Sequence, residues 1–263
     1  MFSKKEIFPL IISILVLALA LGLDDGTEVF ELSYWLSNLV MVTLMVAVSF
    51  LIHQLAHKWI AKRQGFIAEY KLWGIKSFRW MPQSIIRRTN HFFPRKINFL
   101  GKRYEIKSFP IGVVISLIIT LISNGKLFFL ALGEYNLLLK RGSRVGKKYV
   151  HVTDYEDAKI ALAGPMSHIV LLLIAGFFNS YGTLDNFIFI NAALAIFYMI
   201  PVHKLDGSKI FMGSTLLYVS SLIFIIAVIV LVYFLSIIPL LIIAGLATAI
   251  GAVLFYYFSY VKN

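Results

Sequence analysis

The chain has 263 residues, 59% of them hydrophobic and only 14% charged, with a mean hydropathy of +0.83; a soluble domain is nearer about half apolar and a quarter charged. Its net charge of +12 fits basic cytoplasmic loops of a membrane protein better than nucleic-acid binding, for which no module is visible. With no cysteine, disulfides and thiol catalysis are excluded.

Several apolar runs approach the roughly 20 residues that a helix needs to cross a bilayer. They predict a single all-α polytopic domain over residues 1–263, in the cell membrane, with about six transmembrane helices. Lys4 and Lys5 precede the first run, Ile7 to Leu23. No convincing small-residue cleavage site follows, so the run reads as a helix rather than a signal peptide. Asp24, Asp25, Glu28 and Glu31 come next and read as an outer loop, which leaves the N-terminus cytoplasmic.

The second helix is expected from about Trp35 and ends in Lys58, Lys62 and Arg63 on the inner side. It carries His53 and His57, one helical turn apart on one face, so both imidazoles can converge on one ion. His53 lies ten residues before Arg63, or roughly 15 Å of helix, which places the pair inside the membrane near its cytoplasmic face. Ionisable side chains at that depth are costly, and a functional role is the default expectation. The plainer alternative is two histidines paired with polar groups of neighbouring helices.

Residues 64–155 read as a cytoplasmic or re-entrant insertion between core helices. Gly65 to Lys107 is rich in basic and aromatic residues, as expected for a segment lying on anionic headgroups. Partial alternation from Ala68 to Trp80 allows a short strand or hairpin. Phe109 to Ser123 is apolar but short, and Ser123-Asn124-Gly125-Lys126 reads as a turn. A full crossing there would put Lys140, Arg141, Arg144, Lys147 and Lys148 outside, so a re-entrant hairpin over 109–132 fits better.

Ala158 to Phe178 is the next expected crossing, followed by a short outer loop and a return over Phe187 to Ile200. Met212 to Ser259 holds two more, with a turn around Ser236 to Pro239, and the C-terminus is again cytoplasmic. Every strongly basic loop then falls on one side.

A catalytic zinc takes three protein ligands and leaves one position open. His53 and His57 supply two. Asp206 is the best third candidate, with His203 as its competitor; the plainer reading of Asp206 is a helix cap or a turn residue before Gly207.

Three motifs in order give this pattern a family resemblance: His53-Gln54-Leu55-Ala56-His57; Asp157-Ala158-Lys159-Ile160-Ala161-Leu162-Ala163-Gly164-Pro165; and Pro201 to Gly207, ending Leu205-Asp206-Gly207. The chain resembles the site-2 protease family of intramembrane zinc metalloproteases, its archaeal members most. The resemblance covers the second crossing and residues 155–210. It implies Zn²⁺ held by His53, His57 and Asp206, and hydrolysis of a peptide bond in a transmembrane protein or peptide substrate.

Three residues depart from the family pattern. Gln54 stands where the family has the glutamate that acts as general base. Tyr198 and His168 stand where asparagine is usual, which bears on substrate positioning. His168 also reads, more simply, as an intrahelical polar contact. A glutamine amide has no basic site near neutral pH, so the chain is expected to bind zinc and substrate yet cleave poorly or not at all. The other core residues suit catalysis, which favours an introduced Glu-to-Gln change over a natural pseudoprotease that holds membrane clients. A metal transporter is the third reading, weakened by the lack of a convincing internal repeat.

Overall fold

The computed structural model describes residues 2–75, 95–99, 102–106, 108–140, 142–143, 150–202 and 205–261. Most of them are helical. The order is α1 (Lys4–Gly22), α2 (Leu32–Gln64), β1 (Phe66–Leu72), β2 (Arg95–Phe99), β3 (Lys102–Ile106), α3 (Ile111–Ile122), β4 (Gly133–Leu139), α4 (Asp154–Phe178), α5 (Asp185–Met199), α6 (Asp206–Gly213), α7 (Thr215–Leu231) and α8 (Ile237–Tyr256), then a π-helical turn, Tyr257–Val261. Among the described residues, four helices, α1, α2, α4 and α8, are long and apolar enough to cross a membrane. Of the six expected crossings, the remaining two correspond to α5 and α7, apolar helices of 15 and 17 residues. At about 1.5 Å per residue, both fall short of a hydrocarbon core of about 30 Å.

Local chemistry sets the helix ends. Thr153 opens α4 with a capping box: its hydroxyl accepts from Glu156 N, and its own N–H donates to Glu156 Oε2 at 3.0 Å. The α2 helix runs 33 residues to Lys62 and Arg63 in its last turn, then stops at Gly65, whose φ of +89° is the left-handed cap that glycine adopts without penalty.

That glycine turns the chain directly into β1. The strand pairs antiparallel with β4, from Phe66 opposite Leu139 to Leu72 opposite Gly133. Its alternation buries Phe66, Ala68 and Tyr70, so the possible strand near Ala68 is a packed element rather than a surface loop. Its partner β4 was not anticipated, because it pairs across more than sixty residues of sequence. A second hairpin joins β2 and β3. About half of the basic stretch expected at the headgroups, residues 76–94, 100–101 and 107, lies outside the described residues.

The segment from α3 to β4 goes out and comes back. Gly112 N donates to Trp73 O, and Trp73 N donates to Leu132 O, so both ends meet at one end of β1. Between them the chain turns at Asn124 and Gly125, both with positive φ, and Gly125 packs against Asp24 just past α1.

Two apolar clusters hold the helices together. One joins α4, α5, α7 and α8 with β1 and β4. The other joins α1, α2, α5 and β1 with Leu130 to Leu132. At the edge of the second, Lys58 departs from its expected role as a solvated end of α2. Its Nζ donates to Glu6 Oε1 at 2.6 Å and to Ala68 O at 2.7 Å, and Tyr70 N donates to the same carboxylate oxygen. One buried carboxylate thus ties α1, α2 and β1. Replacing Lys58 with methionine strands Glu6 without its cation, and breaking such a pair costs about 3–5 kcal/mol. A lower thermal midpoint in detergent is expected, partly restored by adding Glu6→Gln; an unchanged midpoint would refute the pairing.

Candidate metal centre

The site forms where α2, α4, α5 and α6 meet. His53 and His57 share one face of α2, as 3.6 residues per turn requires. Asp206 is the first residue of α6. Gly207 beside it packs onto the carbonyls of Met199 and Ile200, so closely that a Cβ there would collide with them. That contact seats α6 against the end of α5 and turns Asp206 toward α2. All three side chains are buried: His53 is 1% exposed, His57 1% and Asp206 5%.

Their ligand atoms converge. The two Nε2 atoms lie 3.0 Å apart, and Asp206 Oδ2 lies 3.3 Å from that of His53 and 3.2 Å from that of His57. Tetrahedral zinc with bonds of about 2.0–2.1 Å sets its ligand atoms about 3.3 Å apart. The hydrogen bonds favour a cation as well. His57 Nδ1 faces the carbonyl of Ile160 at 2.8 Å; a carbonyl only accepts, so Nδ1 carries the proton and neutral Nε2 is bare. Asp206 Oδ2 is buried and takes no hydrogen bond among the described residues. A bare ring nitrogen facing a bare carboxylate oxygen repels it unless a positive charge lies between them. The residues present therefore fit a divalent metal.

Close approach of α4 makes room for the pair. Gly164 has no side chain, and a Cβ there would meet His57 Nε2 at 2.6 Å and His57 Cε1 at 2.7 Å, and collide with His53 Cε1. Ala158 and Ala161 are also buried on α4. Small residues in the second motif thus let backbone lie against the imidazoles.

Of the other sequence candidates, Gln54 follows His53 on α2 and is buried, 5% exposed. Tyr198, on α5, sets its ring centroid 4.3 Å from that of His53. His168 is not an intrahelical contact: its Nε2 faces His53 Nδ1 at 3.1 Å and its Nδ1 faces Asn191 Oδ1 at 3.0 Å, joining three helices. His203, the competing third ligand, lies outside the described residues.

Two neighbours were missed from the sequence. Tyr135 on β4 places its ring 4.6 Å from that of His57, and its hydroxyl donates to Asp157 Oδ1 at 2.8 Å. Burial holds that phenol well above its usual pKa, so it remains a donor. No local pattern marks Tyr135, which reaches the site only through β1–β4 pairing. Asn191 did leave a signal, an amide in the middle of an apolar run, where polar groups are expensive.

The fold and site together define a mostly helical protein with membrane-length apolar helices around a buried two-histidine, one-aspartate cluster able to hold a metal. The chain is similar to a protein of Methanocaldococcus jannaschii provisionally named a zinc metalloprotease, 26% identical over 219 residues that cover 80% of this chain and 84% of that one. No family model matches the chain, and no solved structure matches it.

Proposed function

We propose that the chain is a zinc-dependent intramembrane endopeptidase of the site-2 protease type, disabled as written by Gln54. One observation carries the reading: His53 Nε2, His57 Nε2 and Asp206 Oδ2 lie within 3.3 Å of one another, buried among apolar helices. The provisional name of the Methanocaldococcus jannaschii protein supports it. In this reading α1, α2, α4, α5, α7 and α8 make six crossings, both termini are cytoplasmic, and the substrate is a transmembrane protein or peptide.

Zinc bound there would act as a Lewis acid, polarising the scissile carbonyl and lowering the pKa of water. His53, His57 and Asp206 would hold it, and the helices around them keep bulk water away. The residue at position 54 would have to take a proton from the attacking water and pass one to the leaving amine. The Gln54 amide can orient a water by hydrogen bonding but cannot accept its proton. In this reading Tyr198, whose ring packs on His53, would shape the wall that a substrate segment passes.

Metal analysis tests the reading. The purified chain is expected to carry about one tightly held zinc, lost in the His57→Ala variant. A chain loaded with zinc under the same conditions but retaining none would leave Asp206 as an ion-pair partner of a protonated histidine and end the metalloprotease reading. A second reading, a natural pseudoprotease that holds membrane clients without hydrolysis, is favoured by Gln54 itself. It shares the zinc and differs in its response to Gln54→Glu.

A further inference from the structure

We infer that Asn191 and His168 are positioning residues that set the tautomer of His53 and so keep its Nε2 bare as a ligand atom. The inference rests on the zinc reading above and concerns groups that the resemblance does not explain, since His168 departs from the family pattern.

Asn191 faces Phe187 O at 2.9 Å through its Nδ2. A helix carbonyl only accepts, so the amide's NH₂ must point to it and its oxygen must point the other way. That oxygen, Oδ1, lies 3.0 Å from His168 Nδ1. An amide oxygen also only accepts, so His168 Nδ1 carries a proton. His168 and Asn191 are both wholly buried, and a second imidazole proton would bury a further cation beside the metal, at a high cost. His168 is therefore neutral and its Nε2 is an acceptor. That atom lies 3.1 Å from His53 Nδ1, which must donate to it. His53 Nε2 is left without a proton, 3.3 Å from Asp206 Oδ2.

The relay reaches His53 through side chains of α4 and α5 and acts alongside the Gly164 carbonyl, which also hydrogen-bonds His53; His57 faces one backbone carbonyl, Ile160 O. Partners of this kind raise ligand basicity and fix ring orientation. Either ring nitrogen of His168 can carry its proton; Asn191 decides which.

A substitution series at position 191 tests this in the full chain, with zinc affinity read by competition against a chelator. Asn191→Asp keeps an acceptor for His168 Nδ1 but gives up the donor to Phe187 O, and is expected to weaken zinc binding less than the leucine variant. Asn191→Leu has similar size but no acceptor; it frees His168 to present Nε2–H to His53 and is expected to weaken zinc binding about 10- to 100-fold. A role in packing alone predicts the reverse order, with leucine tolerated and buried aspartate disfavoured, and that result would overturn the inference. A second readout needs no metal and no variant. In ¹⁵N-histidine spectra of the metal-free chain, His168 is expected to be protonated at Nδ1 and bare at Nε2; protonation of His168 at Nε2 with Nδ1 bare overturns the inference by itself. Failure of the unaltered chain to hold zinc would instead overturn the reading on which it rests.

Discussion

Gln54→Glu is expected to raise cleavage of a membrane-embedded peptide by about 100- to 10,000-fold, the usual contribution of a positioned general base. Glutamate and glutamine are nearly the same shape, and position 54 is already buried on α2, so the change adds a proton acceptor and is expected to leave the fold intact. Zinc affinity should hold steady, because the ligand atoms belong to His53, His57 and Asp206 in the proposed centre. Parallel measurement of zinc content and of hydrolysis therefore separates chemistry from binding. If the zinc-loaded Gln54→Glu variant cleaves no membrane peptide, the protease reading fails and a client-holding protein becomes the better account. A variant that cleaves with unchanged zinc affinity would assign the missing step to proton transfer alone.

Gly164→Ala is expected to cost roughly 100-fold in zinc affinity, the order that a displacement of about 1 Å produces at a reacting centre. The added methyl would sit 2.6 Å from His57 Nε2 and 2.7 Å from His57 Cε1, well inside ordinary van der Waals contact of 3.4–4 Å. It has no free space to take, since backbone of α4 lies behind it and the imidazoles are held in front by Ile160 O and His168. Alanine favours helix over glycine by about 1 kcal/mol, so α4 itself should not weaken. A loss of zinc with undiminished helicity is thus the expected pair of results in chelator competition and circular dichroism. Unchanged zinc affinity would mean that the rings do not lie against Gly164.

Both outcomes depend on features that could be read from the chain to different degrees. The two histidines four residues apart needed only helical periodicity. Asp206 was identified as a candidate by its ligand chemistry and its motif, but a helix cap or turn was equally compatible with Asp-Gly at that point. The packing of Gly207 on α5 removes that ambiguity by aiming the carboxylate at α2 rather than at its own helix. Tyr198 and His168 were noticed as departures from a pattern, without any means of saying what they touch. His168 became informative only when α5 brought Asn191 to it.

The apolar runs, the helix caps at Thr153 and Gly65, and the one-turn spacing of His53 and His57 were determined by the sequence itself, because each depends on residues within a few positions of one another. The tertiary structure alone decided the rest: the β1–β4 pairing, the contact of Gly164 with both imidazoles, the convergence of Asp206, and the line from Phe187 O through Asn191 and His168 to His53. These are meetings of groups far apart along the chain. Local propensity and hydrophobic period carry no record of them, since which helix faces which is set by the fit of small residues and buried polar groups when the whole bundle closes.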